Sequence, residues 1–108
     1  MPQQWTQSWT EKEESEDEQE MVAAFGLAAA RVRAGDLDGV EIAVGYGGLI
    51  SQFLHGQSNR RIDKYGGSNL LERMTFLYEV LRTTRAALGP DLLLGVRISD
   101  DLVDLIVE

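Results

Sequence analysis

The sequence predicts an α/β fold in which helix, strand, long loop, second helix and second strand follow one another along the chain. Two observations indicate the strands. Residues 39–44 (GVEIAV) form a short apolar run bounded by glycine, and residues 92–98 (LLLGVRI) form a second apolar run. A third observation indicates the helices, because apolar residues recur at steps of three and four before each run. Strands that alternate with helices pair in parallel, so we expect a parallel strand pair.

The first helix is predicted from about Asp17 to Gly35, where glycine ends it. Its apolar face comprises Val22, Phe25, Ala28 or Ala29, and Val32. Basic residues in its last turns suit the negative end of the helix dipole.

The second helix is predicted to begin at Ser68 as its N-cap and to stop at Gly89-Pro90. Its apolar side comprises Leu70 or Leu71, Met74, Leu77, Leu81 and Leu88. The run 92–98 is nearly all apolar, which predicts a strand covered on both faces. Residues 100–108 begin a further amphipathic element.

Composition and charge are those of one small domain of 108 residues, with 44% hydrophobic and 26% charged residues. The formal net charge is −8, and residues 11–20, with seven acids and one lysine, account for −6 of it. We interpret this segment as exposed, and its charge argues against nucleic acid or an anionic membrane as a general partner. The chain contains no cysteine, which excludes disulfides, thiolate metal sites and a thiol nucleophile within it.

The N-terminal segment differs from the rest of the chain. Residues 1–16 are polar apart from two tryptophans and show no periodicity, so we predict a disordered lead-in followed by one domain over residues 17–108. The segment lacks the basic start and apolar stretch of an export signal, and no run approaches the ~20 apolar residues of a membrane span. We therefore expect a soluble cytoplasmic protein.

The loop after the first predicted strand is the candidate site, because loops that follow buried strands often carry chemistry. Gly45, Gly47 and Gly48 allow the backbone to approach a ligand closely. Residues 49–54 (LISQFL) are expected to form a short apolar turn on the core, and residues 59–68 (NRRIDKYGGS) complete the loop.

Four motifs in this order resemble the old yellow enzyme family of flavin-dependent NAD(P)H oxidoreductases. They are DGVEI at 38–42, LISQFL at 49–54, N-x-R-x-D-x-Y-G-G-S at 59–68, and GVRIS at 95–99. The resemblance covers residues 18–104 and implies a (β/α)8 TIM barrel with FMN at its C-terminal mouth and NAD(P)H as electron donor. The chain is similar to the middle section of that barrel, from the helix before the fourth strand through the fifth strand. A full barrel takes ~250 residues.

The resemblance therefore implies a partial barrel. Two strands leave both sheet edges open, and the segments that hold most of the flavin in the family are not in this sequence. We expect the chain to work with the remaining barrel segments or as a homo-oligomer, on a small-molecule substrate.

Arg97 stands where the family places an arginine against the flavin pyrimidine edge. There a fixed cation stabilises negative charge as the flavin is reduced. The alternative is a structural charge inside the barrel, paired with Glu41, because an isolated buried charge is costly.

The site loop departs from the family pattern. Ala43 replaces the first histidine, Tyr46 occupies the position of the second histidine or asparagine, and Gly48 stands where a tyrosine is usual. Tyr46 has the chemistry to donate a hydrogen bond to substrate or a proton in catalysis, so it is the candidate catalytic and substrate-binding residue. Otherwise it is an ordinary loop aromatic. His55 matches no family ligand and is expected at the surface.

Other loop residues are predicted to build the loop rather than bind substrate, because alternating acid, base and amide groups satisfy one another. They are Asn59, Arg61, Asp63 and the turn from Tyr65 to Ser68. After Ser68 the chain is one residue longer than the family pattern, so the sequence leaves the first residue of the second helix undecided.

Three functional classes follow. The first is a section of an FMN-dependent oxidoreductase that reduces an activated alkene or oxidises and demethylates a small amine. The second is a truncated or degenerate fragment, or an assembly element, without catalysis. The third and weakest is a binding module that docks a basic partner through residues 11–20.

Overall fold

The computed structural model describes residues 16–45, 48–100 and 102. Residues 1–15 of the predicted lead-in, Tyr46 and most of the tail 100–108 lie outside the described residues. The elements are α1 (Glu16–Ala34), β1 (Gly39–Ala43), α2 (Leu49–Leu54), α3 (Leu70–Arg73), α4 (Thr75–Leu88) and β2 (Leu93–Arg97). The predicted order of helices and strands is confirmed, and the predicted apolar turn over 49–54 is the short helix α2.

The two strands pair in parallel, as predicted. Gly39 is opposite Leu93 and Ala43 is opposite Arg97. The pairing extends beyond both strand ends, because the Leu93 amide donates to the Asp38 carbonyl at 2.9 Å and the Val44 amide donates to the Arg97 carbonyl at 2.9 Å. The described part of the chain thus contains the parallel strand pair joined through helices that the resemblance to a (β/α)8 barrel implies.

The sheet has one covered face and one open face. Val40, Ile42 and Leu94 point to the helices and belong to the core or pack against it. The open face carries the alternate residues of both strands. Gly39 is half-buried there, and five residues are exposed: Glu41, Ala43, Leu93, Gly95 and Arg97.

The prediction that β2 is covered on both faces is wrong for the described chain. Leu93 on the open face is 72% exposed, and even Val96 on the helix side is 42% exposed. The physical reason is that the described residues supply helices for one face alone, and none of them packs on the other.

α1 begins within one residue of the predicted start, and Ala29 rather than Ala28 is buried. The helix lies close to α4, since a Cβ atom on Gly26 would come within 2.6 Å of the Thr83 Cγ2 atom. Gly26 therefore sets how closely these two helices approach.

The C-terminus of α1 corrects the predicted role of Gly35. The Asp36 amide donates to the Arg33 carbonyl at 3.2 Å and the Leu37 amide donates to the Val32 carbonyl at 3.2 Å, which is the Schellman arrangement. Asp36, with φ 58°, and not Gly35, occupies the left-handed position. Aspartate is one of the few residues with a side chain that tolerates this conformation.

The predicted second helix is divided in two at Met74, and its N-cap is Asn69 rather than Ser68. The Asn69 side chain accepts a hydrogen bond from the Glu72 amide at 2.9 Å. The Ser68 hydroxyl instead bonds the Glu72 carboxylate at 3.3 Å. The extra residue after Ser68 moves the cap by one position, and Leu70 is the partly buried leucine of the predicted alternatives, because Leu71 is exposed.

Three aromatic rings form the centre of the core. Phe53 from α2 stacks on Phe76 from α4 with ring centroids 4.3 Å apart, and Tyr65 from the loop stands edge-on to both at 6.1 and 5.9 Å. All three side chains are fully buried. The loop therefore contributes to the same core as the helices. None of the helices within the described ranges is long and apolar enough to cross a membrane.

Candidate functional site

The C-terminal ends of β1 and β2 lie side by side and form the base of the candidate site. Ala43 is the register partner of Arg97. Two residues further along each strand, Gly45 packs directly against buried Ser99, and a Cβ atom on Gly45 would collide with the Ser99 side chain and come within 2.8 Å of its backbone nitrogen. Glycine at position 45 thus allows the loop to leave β1 directly over the end of β2.

Arg97 lies on the open face at the C-terminal end of β2. Its Nε atom is 3.7 Å from the Glu41 Oε1 atom, and the two side chains are 71% and 61% exposed. The alternative pairing of Arg97 with Glu41 therefore exists, but between exposed rather than buried side chains. A pair this exposed stabilises the chain by ~0–1 kcal/mol, so it leaves the guanidinium available to another ligand.

Tyr46, the candidate catalytic residue, lies outside the described residues together with Gly47. Of the neighbouring positions, Ala43 presents its methyl group on the open face and Gly48 is exposed at the start of α2. Tyr46 therefore stays a prediction from the sequence.

Asn59 fixes the loop from inside. Its Nδ2 atom donates to the carbonyl of Phe53 at 2.6 Å and to that of Tyr65 at 2.8 Å, while its Oδ1 atom accepts from the Arg61 amide at 3.1 Å. Every polar atom of this buried side chain is used. Asn59 thus builds the loop, as predicted.

Arg61 is the second buried anchor. Its Nη1 atom donates to Glu18 Oε1 at 3.1 Å, and both side chains are fully buried. Its Nε atom donates to Asp63 Oδ1 at 3.0 Å, and its guanidinium lies 5.7 Å from the Phe53 ring and 5.6 Å from the Tyr65 ring. One cation thus joins the loop to the first turn of α1 and to the aromatic core.

Charge balance keeps Arg61 ionised. Burial opposes its charge, but the hydrogen bond and charge of Asp63, together with Glu18, outweigh burial and raise the pKa of Arg61. Glu18 corrects the interpretation of residues 11–20 as an exposed segment, because this acid is buried. Its position was readable from the sequence, since Glu18, Val22 and Ala29 lie on one face of a helix.

Tyr65 connects the loop to α4. Its hydroxyl donates to Glu79 Oε1 at 2.9 Å, and Lys64 Nζ is 3.2 Å from Glu79 Oε2 and 5.1 Å from the centre of the tyrosine ring. Burial, with the hydrogen bond and charge of Glu79, raises the pKa of Tyr65 to about 12, against the opposing effect of Lys64. A phenol held protonated in the core is structural, as predicted for the turn.

The Gly-Gly turn requires both glycines. A Cβ atom on Gly66 would come within 2.7 Å of the Arg61 carbonyl carbon, and Gly67 has φ 153°, which side chains disfavour. Buried Arg73 closes this end of the loop, because its Nε atom donates to the Leu54 carbonyl at 2.7 Å and its Nη1 atom donates to the Gly67 carbonyl at 3.3 Å. The loop is therefore held from two sides.

His55 was expected at the surface and is half-buried. Its backbone closes α2, donating to the Ser51 carbonyl at 3.2 Å and accepting from the Asn59 amide at 2.8 Å. Among the described residues no group of three or more histidine, aspartate or glutamate side chains is placed to hold a metal ion.

Comparison with known proteins finds similar sequences over most of this chain. The model of the NADH:flavin oxidoreductase / NADH oxidase family matches residues 2–104. A metal reductase of Desulforamulus reducens is 48% identical over 80 residues, which are 74% of this chain and 12% of that protein. A multifunctional alkene reductase/demethylase OYE of Caballeronia cordobensis is 44% identical over 81 residues, which are 75% of this chain and 12% of that protein.

Solved structures agree with these relatives. The structure of morphinone reductase in complex with tetrahydroNAD superposes with a TM-score of 0.71 and 33% identity, over 79% of this chain and 23% of that one. The chain thus spans about an eighth to a quarter of the length of the proteins it matches.

Proposed function

The chain belongs to the NADH:flavin oxidoreductase / NADH oxidase family, and on that premise we propose that it is a section of an FMN-dependent NAD(P)H oxidoreductase that reduces an activated alkene. The observation that carries the proposal is the position of Arg97. It presents an exposed guanidinium at the C-terminal end of a parallel strand, where barrel enzymes of this architecture place their active sites.

The described residues fit FMN at this point. A guanidinium offers planar N–H donors that suit the carbonyl and nitrogen acceptors of a flavin pyrimidine edge. Gly95, next to Arg97 on the open face, has no side chain. The space beside it is open, because a Cβ atom there would meet nothing within 4 Å. Arg97 is therefore the residue of this chain that would hold the flavin ring.

When bound, FMN supplies the hydride chemistry between NAD(P)H and the substrate. Arg97 would bind and orient the ring edge and stabilise negative charge there. Tyr46, in the loop that leaves β1, would donate a hydrogen bond or a proton to a small-molecule substrate. Ala43 has no hydrogen-bonding group, so Tyr46 would take the larger share of substrate binding.

The remaining parts of the active site would come from further barrel segments, or from another copy of the chain, packed on the open face. This assembly would work in the cytoplasm. The support is the open face itself, whose five exposed residues have no cover among the described residues.

Two other candidate functions have specific support. Flavin-dependent amine oxidation is supported by the relative whose name joins alkene reductase with demethylase. A non-catalytic fragment or assembly element is supported by the uncovered sheet. It is also supported by Ala43 and Gly48, which stand at site positions where the family usually has histidine and tyrosine.

The test is to purify the 108-residue chain, add FMN, remove free FMN by desalting and record the visible flavin absorbance. We expect retained flavin in the wild type and little in Arg97→Gln, with Arg31→Gln as the arginine control, because Arg31 is exposed on α1. Colourless protein in every preparation would contradict the proposal and favour the non-catalytic fragment.

Substrate class is tested on the flavin-loaded chain. A cyclic enone should accelerate NADH oxidation, and Tyr46→Phe should slow that reaction while flavin retention stays unchanged. Bleaching of the flavin by a small N-methyl amine without NADH, and no response to the enone, would favour amine oxidation instead.

A further inference from the structure

Glu41 is placed to act on Arg97 from the neighbouring strand. Gly95 is the register partner of Glu41, and Arg97 lies two residues beyond Gly95 on the same face of β2. The two charged side chains are thus diagonal neighbours, and they meet with Arg97 Nε 3.7 Å from Glu41 Oε1. Within the described part of the chain, neither side chain has another ion-pair partner.

The rest of the open face offers no other charge. Ala43 and Leu93 are apolar, and Gly95 leaves open space beside Glu41. Within the described strands, Glu41 is therefore the single anion on the face that carries Arg97. A ligand with electronegative atoms that approaches Arg97 also meets the Glu41 carboxylate.

We propose that Glu41 is the counter-ion that sets how strongly Arg97 binds the flavin, and is therefore a positioning residue for the proposed site. The inference rests on the proposed function, because it takes the flavin as the ligand of Arg97. The Glu41 carboxylate offsets the charge of the guanidinium and holds its Nε side, so a flavin edge competes with it. Removing the carboxylate strengthens flavin binding.

The magnitude follows from the exposure of the pair. Exposed ion pairs contribute little, so removing the Glu41 carboxylate should lower the dissociation constant of FMN by about two- to fivefold. Arg97→Gln removes the binding group, and Glu41 then has nothing to compete for. The Glu41→Gln/Arg97→Gln double variant therefore binds as weakly as Arg97→Gln alone.

The experiment titrates FMN with the full chain and follows flavin fluorescence anisotropy for the wild type and these three variants. Glu20→Gln serves as the matched control, because it removes the same charge from an exposed position on α1. In parallel, the Arg97 Nε–H resonance is recorded by NMR without ligand. We expect it to shift in Glu41→Gln and to stay in place in Glu20→Gln.

Riboflavin, which lacks the phosphate, separates the two parts of the ligand. The same gain for riboflavin and FMN supports an effect on the ring. A gain confined to FMN would place Arg97 against the phosphate and overturn the proposal.

The outcomes distinguish the two proposals. If Arg97→Gln weakens FMN binding and Glu41→Gln equals the wild type, the role of Glu41 is wrong and the flavin site stands. If Arg97→Gln binds FMN like the wild type, or no variant binds it, the proposed function fails and the role of Glu41 fails with it. A carboxylate of merely structural importance would lower stability in Glu41→Gln without tightening FMN binding.

Discussion

Arg61 illustrates, at the scale of single residues, how a buried charge can organise a loop. Its guanidinium is fully buried between Glu18 and Asp63, over two aromatic rings. A buried ion pair contributes little compared with apolar packing, but removing one partner leaves the other charge uncompensated. The arrangement therefore fixes the loop and makes it sensitive to substitution.

Removing Arg61 should destabilise the chain more than removing the charge of Glu18. Arg61→Met leaves two carboxylates without their cation and should lower the free energy of unfolding by about 3–5 kcal/mol. Glu18→Gln keeps a hydrogen-bond acceptor and leaves Asp63 in place, so the cost should be about 1–3 kcal/mol. Urea unfolding measures both, with exposed Glu20→Gln expected within about 0.5 kcal/mol of the wild type. Equal stability of Arg61→Met and the control would refute the anchoring role.

Tyr65 should make the free energy of unfolding depend on pH in the alkaline range. Its pKa in the folded chain is about 12, above the ordinary 10, so folding favours the protonated phenol. The resulting stabilisation is fully present below about pH 10 and is lost as the pH rises towards 12. Tyr65→Phe has no such group, so the stability difference between wild type and variant should shrink across this window. Chemical unfolding of both proteins between about pH 8 and 12 tests it, and a constant difference would show that Tyr65 is not responsible.

At the scale of elements, two helix ends show local chemistry. α1 ends in a Schellman motif with Asp36 in the left-handed position, and α3 begins at Asn69, whose side chain caps the Glu72 amide. Both ends lie one residue from the predicted position. The reason is that Gly35 and Ser68 are good candidates by residue type, but the hydrogen bonds of the neighbouring residues decide which position is used.

Replacing Asp36 with glycine should stabilise the chain. Glycine adopts φ 58° without the steric cost of a side chain, so Asp36→Gly should raise the free energy of unfolding by about 0.5–1 kcal/mol. Asp38→Gly removes the same charge where φ is not positive, and there glycine should destabilise by a similar amount. Thermal unfolding distinguishes them, and a less stable Asp36→Gly would argue against strain at this helix end.

At the scale of the whole molecule, the main feature is a sheet with helices packed on one face and the other face exposed. Helices cover Val40 and Ile42, whereas Leu93 and Arg97 on the opposite face are exposed. Relatives that match this chain are about three to six times as long, and the same section lies within their larger fold. The open face is therefore the surface on which we propose that further barrel segments pack.

A polar residue at position 93 should separate folding from assembly. Leu93 is 72% exposed, so Leu93→Ser should change the free energy of unfolding of the chain alone by no more than about 0.5 kcal/mol. Association through the open face would lose a buried leucine and weaken by about 2 kcal/mol or more. Sedimentation velocity against concentration measures the association. If the variant self-associates like the wild type, the open face is not the contact surface.

The sequence by itself determined the parallel strand pair, the order of elements and the family, because these depend on local periodicity and on motifs such as N-x-R-x-D-x-Y-G-G-S. It also placed Arg97 at the end of its strand. It could not assign Glu18 and Glu79 their partners, since the loop residues they bind lie 43 and 14 positions away. Pairing over such distances is decided by packing.

Only the tertiary structure decided that Glu18 pairs with Arg61, that Tyr65 is held protonated against Glu79, and that β2 has an open face. An apolar run in the sequence indicates that a strand can be covered on both faces. Whether it is covered depends on which elements fold against it, and the described helices reach one side alone.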